Sequence, residues 1–349
     1  MAESRDSGSE PPASAVDGPQ RGEILERAGG YRLLAELFAR QPDDELLALA
    51  SSVPALAAHA TAHAAATYTH VFVLNAYPFA SVYLDPGGEA GGERAGLTRG
   101  VLEALGLHLE AGADADHLAV QLDALAALLE REAAALGAAG PADAAGPARA
   151  RARHAQRVLL AEHLLPWAPV FLDAVARVDE GLYRAAAALT RSTLVGHAAA
   201  LFDGTPLAPA DAPPDAADVP LEKPGTPAST LDRLTLPYRS GLFLSRADLS
   251  RIGGELGLPL RFGGRPFMLE SLARAAVQLD ASAGLTAALE RFTSERRAVM
   301  AGWAAELPAL APLWRRWLER LDATLAELHA PSELDGRRPE PATPPAGAR

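Results

Sequence analysis

The chain has no cysteine in 349 residues, which excludes disulfides, thiolate nucleophiles and cysteine-ligated zinc or iron–sulfur clusters. Runs rich in Val, Ile and Thr are nearly absent, so little argues for strands. No apolar run reaches the roughly 18–20 residues that a membrane span needs. Residues 1–20 are rich in Ser, Glu, Pro, Gly and Asp and do not read as a secretory h-region. The expectation is a soluble cytoplasmic protein with no stable membrane insertion. Lysine is almost missing too: Lys223 is the only one, and every other fixed cation is arginine. The net charge of −12 disfavours non-specific nucleic-acid binding. An acidic surface attracts a basic peptide, and it also keeps an alanine-rich protein in solution.

What is present is helix. Apolar residues make up 49% of the chain, and Ala, Leu, Arg and Glu, all good helix formers, dominate. The fold class expected is all-α. Residues 1–20 read as a disordered tail, residues 21–203 as a helical domain, 204–229 as a Pro/Ala-rich linker, 230–330 as a second, smaller helical domain and 331–349 as a disordered end. Within the first block, Ile24, Ala28, Tyr31, Ala35 and Phe38 fall on one helix face. Gln41-Pro-Asp-Asp-Glu45 reads as a helix start with Pro in its first turn. Leu118, Leu122, Leu125 and Leu129 make a 4-3-4 stripe in a helix from about 114 to 136 that must face a core. Residues 138–148 read as a Gly/Pro/Ala loop, and Pro166 interrupts a helix that begins near residue 151. In the second block, Ser245-Arg-Ala-Asp248 resembles a capping box. Leu269, Leu272, Ala276 and Leu279 form one stripe; Trp314, Trp317, Leu321, Leu325 and Leu328 form another.

The informative chemistry lies in three stretches: Tyr68-Thr-His-Val-Phe72, Tyr77-Pro-Phe-Ala-Ser-Val-Tyr-Leu-Asp85 and Asp114-Ala-Asp-His117. Asp116 and His117 are adjacent, and neighbouring helical residues diverge by about 100°, so they make no obvious acid–base pair. No Gly-x-Ser-x-Gly elbow or Walker loop is present, and the nine histidines are scattered rather than spaced as metal ligands. The expectation is no enzyme, no cofactor and no metal.

In this order and spacing, the stretches resemble the TorD/DmsD/NarJ family of molybdoenzyme-specific chaperones, over roughly residues 22–203. Tyr31-Arg-Leu-Leu-Ala-Glu-Leu-Phe38 is similar to the family's first helix. Tyr68-x-x-Val-Phe72 and Pro78-Phe-Ala-Ser-Val-Tyr83 are similar to its aromatic-x-x-Leu-Phe element and the Ser-Val-Tyr stretch that follows. Asp116-His117-Leu118 resembles its Asp-His-Leu/Ile, and Glu162-His-Leu-Leu-Pro-Trp-Ala-Pro-Val-Phe171 its His-Leu-x-x-Trp-x-Pro-x-Phe. The acid and proline usual before Asp-His are replaced by Ala113 and Ala115, and two aromatic positions carry tyrosine rather than tryptophan. The resemblance implies an all-helical chaperone that binds the twin-arginine signal peptide, the apo core of a molybdopterin oxidoreductase catalytic subunit, or both. It implies that export is delayed until the cofactor is inserted, and it allows a homodimer.

The residues suit that chemistry. A carboxylate accepts two bonds from one guanidinium, and tyrosine offers a flat face for stacking. The candidate contact set is Tyr77, Pro78, Ser81, Tyr83, Asp85, Asp114, Asp116 and His117. Asp116 serves equally well as a first-turn acid, His117 as a core histidine, and Trp167, Tyr68 and Phe72 as packing anchors. Three or four buried leader leucines contribute roughly 1.5–3 kcal/mol each, offset by ordering the peptide, which suits a roughly micromolar affinity. The alternative is a regulatory or nucleic-acid-binding protein acting through residues 235–280, where Arg239, Arg246, Arg251, Arg261 and Arg265 cluster. Its would-be recognition helix, Leu260-Arg-Phe-Gly-Gly-Arg-Pro266, holds two glycines and a proline and should not form a helix. The simplest reading of this block is an added module for docking, or one that packs on the first block for stability.

Overall fold

A computed structural model describes residues 13–110, 112–137, 142–202 and 227–329. Among these residues there is no strand, only helices and one isolated bridge between Phe79 and His117. In chain order the helices are α1 (Ala13–Ala39), α2 (Asp44–Ser51), α3 (Pro54–Ala57), α4 (Ala62–Tyr68), α5 (Ala80–Leu84), α6 (Glu93–Ala104), α7 (Leu118–Gly137), α8 (Ala142–Val158), α9 (Ala168–Val178) and α10 (Leu182–Phe202). After the linker come α11 (Pro227–Thr235), α12 (Pro237–Ser240), α13 (Arg246–Glu255), α14 (Arg265–Gln278), α15 (Ser282–Glu306) and α16 (Arg315–His329). The stretches expected as the 204–229 linker and the 331–349 tail lie almost wholly outside the described residues.

α1 and α7 form the longest contact of the first block. Ile24, Ala28, Tyr31, Ala35 and Phe38 are all buried, as are Leu118, Leu122, Leu125 and Leu129, so both expected stripes face the core. Each such leucine contributes roughly 1.5–3 kcal/mol. At the exposed seam of this pair, Arg32 donates to Asp123 and to Glu130. α2 starts at Asp43, whose carboxylate accepts from Leu46 N at 2.9 Å. Pro42 therefore precedes the cap instead of standing in the first turn.

Helix extends further than its composition suggests at two places. α1 begins at Ala13, within the expected tail, and carries Pro19; residues 1–12 lie outside the description. α8 begins at Ala142 and runs through Pro147, within the expected 138–148 loop. Pro147 costs one helix bond, and the face carrying Ala152, Ala155 and Gln156 is buried, which offsets that loss. Leu279 departs from its expected stripe: it is the C-cap of α14 and is 57% exposed.

Two turns widen to the π type, at Thr69–Val73 and Leu159–Leu164, and both fall within the motif stretches. Such turns mark local rearrangement of the helix ladder. The first presents Phe72 to Phe38, Tyr68, Phe171 and Tyr183. The second lets the Trp167 indole donate to His163 O at 2.9 Å.

The second block lies against the first. Leu242, Phe243, Leu249, Leu272, Trp303 and Trp314 belong to the same contiguous buried set as Leu34, Phe72 and Trp167. Trp314 and Trp317 donate their indole N–H groups to the carbonyls of Leu165 and Pro166, at 2.9 and 2.7 Å. These are carbonyls that the break before α9 leaves without helix partners. The capping box at Ser245 and Asp248 is formed. Residues 259–264 are not helical, and α14 begins only at Arg265.

Candidate functional site

The site is built around a corner where the loop before α5 meets the loop before α7. Ala80 N donates to Asp116 O at 3.0 Å and Leu118 N to Pro78 O at 2.8 Å. The Asp116 carboxylate accepts from Ser81 N at 2.9 Å. His117 Nδ1 accepts from Ala119 N at 3.1 Å, and its ring stands edge-on to Phe79 with centroids 4.9 Å apart. That bond assigns the neutral ring's proton to Nε2. Burial pushes the His117 pKa down to about 4, against the pull of Asp114 and Asp116. Asp116 and His117 thus point to different partners and form no proton relay.

The eight expected contact residues divide into two layers. Asp114 is exposed, and Tyr77 and His117 are partly exposed. Pro78, Ser81, Tyr83, Asp85 and Asp116 lie beneath the surface, with Ser81, Tyr83 and Asp116 fully covered. Phe79, which was not in the set, joins the outer layer. Below it, Ser81 and Asp85 fasten the glycine-rich loop before α6. Ser81 Oγ accepts from Gly91 N at 3.2 Å and Asp85 Oδ2 from Arg94 N at 3.1 Å. A Cβ on Gly92 would collide with Asp85 Oδ2, so a larger residue there would displace the carboxylate from Arg94 N. Burial raises the Asp85 pKa, opposed by the Arg94 N–H and guanidinium.

Tyr83 is stacked on Trp167 at 5.5 Å and 25°, edge-on to Phe171 at 6.3 Å, and tilted against Phe243 at 5.0 Å. Its hydroxyl and the second carboxylate oxygen of Asp116 have no hydrogen-bond partner among the described residues. Phe243 comes from the second block and also meets Tyr77 edge-on at 6.3 Å.

Sequence reasoning did not find the residues that seat the second block here. Asn75 Nδ2 donates to His70 O at 2.8 Å, and Asn75 Oδ1 accepts from Ala247 N at 2.7 Å. Arg177 grips Asp248 through two bonds of 3.1 Å and donates to Phe243 O at 3.1 Å. Burial pushes the Asp248 carboxyl up, but Arg177 and Ser245 outweigh it and hold the pKa below the usual range. The one local signal was the capping box that contains Asp248.

A cavity of about 280 Å³ lies elsewhere, lined by Arg27, Glu132, Arg149, Arg153, Gln156 and His197 among others. Glu132 and the α8 arginines beside it are already engaged. Arg149 and Arg153 pair with Glu132, while Arg153 and Arg157 donate to the last carbonyls of α10, Ala200 O and Leu201 O. Arg153 and Arg157 thereby serve the negative end of a helix.

An aromatic and acidic edge set over a pinned corner, on an all-helical scaffold, is the makings of a binding protein. Residues 39–173 match the family model described as nitrate reductase delta subunit, a family of the NarJ/TorD chaperone type. The family is non-catalytic and serves the maturation of molybdoenzymes together with their catalytic subunits. The match takes in the Tyr68, Tyr77–Asp85, Asp114–His117 and Trp167–Phe171 stretches. The second block lies beyond it. No curated protein matches the chain. No single helix among the described residues is long and apolar enough to cross a membrane.

Proposed function

We propose that the chain is a cytoplasmic, non-enzymatic chaperone that binds the twin-arginine leader, the apo core of a molybdopterin oxidoreductase catalytic subunit, or both, and delays export until the cofactor is in place. The observation that carries this reading is the family match over the very stretches that build the corner. The outer layer of Tyr77, Phe79, Asp114 and His117 supplies the types that a guanidinium and an adjoining leucine run require: flat rings, an exposed carboxylate and apolar surface. Ser81, Tyr83, Asp85 and Asp116 support that layer from below. The chaperone domain is taken as residues 21–203 and the helical module as 230–330, with the latter as a docking or stabilising addition.

Affinity capture from the native host tests the reading. Recovery of a molybdopterin oxidoreductase subunit is the expected result. Absence of such a partner, with every molybdoenzyme activity intact after deletion of the gene, overturns it. The double change Asp114→Ala with His117→Ala should weaken leader binding by about tenfold, as loss of about 1.4 kcal/mol implies. The circular dichroism spectrum should stay unchanged.

A further inference from the structure

The motif edge is already occupied, and the occupant belongs to this chain. α12 ends in a turn at Gly241, where φ is +74° and a Cβ would lie 2.9 Å from Leu321 Cγ and 3.1 Å from both Leu321 N and Trp317 O. Only glycine can pass so close to α16 in that conformation. The turn sends Leu242, Phe243 and Leu244 along an irregular path between α16 and the first block, and all three are buried. Phe243 covers Tyr83. The Arg265 guanidinium stacks over Phe243 at 4.4 Å and over Tyr77 at 5.8 Å, and Arg265 Nη1 is 3.5 Å from Leu244 O.

This seat is held by apolar burial and burdened by unsatisfied polar groups. Arg265 pairs with no carboxylate among the described residues, and burial draws its pKa below the ordinary arginine value. Among the described residues the Nε atoms of Arg239 and Arg246 are buried without partners, as are the Tyr83 hydroxyl and Asp116 Oδ1. A joint that served packing alone would gain by pairing or removing such groups. The contacts instead spell out a ligand: arginine on a tyrosine face beside a short leucine and phenylalanine run.

We propose that the Tyr77–Tyr83 edge is a surface for an extended peptide in which arginine adjoins an apolar run, and that residues 239–265 occupy it as a built-in competitor. This rests on the leader-binding reading above and adds a regulation to it. A leader must displace the Leu242–Leu244 segment and the Arg265 side chain, so its apparent affinity is reduced by the fraction of molecules in which the seat is free. Ala247 N–H, donated to Asn75, is the clasp at one end of the occupant.

The absence of native cysteine makes a clean test available. Asn75→Cys with Ala247→Cys places one pair of thiols across the clasp. The probe is a fluorescein-labelled synthetic peptide with two consecutive arginines followed by a leucine-rich run, read by anisotropy. The reduced double variant should bind, and the oxidised one should lose tenfold or more. Each single cysteine variant should bind alike in both conditions. Phe243→Ala and Arg265→Met, checked for unchanged helix content, should each gain several-fold. In the unmodified chain, the peptide should speed amide hydrogen exchange over residues 242–248. Equal binding by the oxidised and reduced forms, or slower exchange at 242–248 on binding, overturns the competitor and leaves leader binding intact. If no form binds the peptide, the two loosened variants included, the leader reading falls and the competitor with it.

Discussion

Two polar clusters are buried in the same core, and they are built on opposite principles. Between α1, α7, α8 and α10, the Tyr31 hydroxyl lies 3.0 Å from His197 Nδ1, and His197 Nε2 lies 2.8 Å from Gln156 Oε1. Gln156 Nε2 donates to Glu132 at 2.9 Å, and Glu132 reaches Arg149 and Arg153 at the surface. Each link satisfies the next. At the joint between the blocks, among the described residues, Tyr83 and Asp116 carry unpartnered buried oxygens and Arg265 has no acid, although Arg177 and Asp248 nearby are tightly paired. The first cluster is what a satisfied structural network looks like. The second combines one strong clamp with several unmet groups, and such a mixture suits a contact that is meant to be exchanged.

The sharpest way to break the comparison is to cut the clamp. Arg177→Met leaves the buried Asp248 carboxylate with Ser245 and, at 3.5 Å, only the half-exposed Arg251 in place of its close two-bond partner. A loss of about 3–5 kcal/mol is expected, measured by urea unfolding. The effect should fall steeply with acid. The folded Asp248 pKa is depressed, so its contribution is present above the unfolded carboxylate pKa near 3.9 and is lost as pH drops through the folded value. A change under 1 kcal/mol at pH 7 would mean that the blocks hold together without this pair.

Milder acid separates the two clusters differently. Burial pushes His197 down to about 3 and His163 to about 4, with nearby arginines adding in the same direction. His117 is held at about 4 by burial, against Asp114 and Asp116. All three stay neutral in the fold while the unfolded chain takes up protons below about 6.5. Stability is therefore complete above that pH and declines as pH falls. From pH 7 to 5 each histidine should remove up to about 2 kcal/mol. His197→Phe should flatten one third of that slope while costing about 1–3 kcal/mol at pH 7, because the Tyr31 hydroxyl and Gln156 lose their partner. An unchanged slope in that variant would show that His197 is not the group titrating.

What the sequence disclosed and what it concealed follow the same division. The stripes on α1 and α7 were legible because a 3.6-residue period sustained over about three to four turns leaves little choice of face. The cap at Ser245 was legible because capping is a local event; near Asp43 only the helix start was, since Pro42 precedes the cap rather than standing in the first turn. The family stretches come together at one corner, where Asp116 and His117 meet Pro78 to Ser81. Depth within the corner was not legible. α5 has five residues, too few for a period to say that Ser81 and Tyr83 face inward. Nor could spacing announce the Arg177–Asp248 pair or the Phe243 lid, which join positions about seventy or more residues apart on either side of the linker. The arginines of the second block read as a basic cluster, and their spacing did not disclose that Arg265 is an interior cation stacked on aromatic rings.

One matched pair of substitutions isolates the contrast with the least perturbation. Tyr31→Phe and Tyr83→Phe delete the same atom from equally buried rings, both 0% exposed. At Tyr31 the deletion leaves His197 Nδ1 facing a void, and about 1–2 kcal/mol should be lost. At Tyr83 it removes a hydroxyl that has no partner while keeping the stack on Trp167. Stability there should be unchanged or higher by up to about 1 kcal/mol. Urea midpoints measured side by side at pH 7 give the sign directly. Equal losses at the two positions would mean that Tyr83 has a partner in solution and that the joint is as well satisfied as the network. Opposite signs would show that the joint forgoes stability at the very residue the leader reading places beneath the peptide. Loss of leader binding in Tyr83→Phe, without loss of stability, would then assign the spare hydroxyl to the ligand.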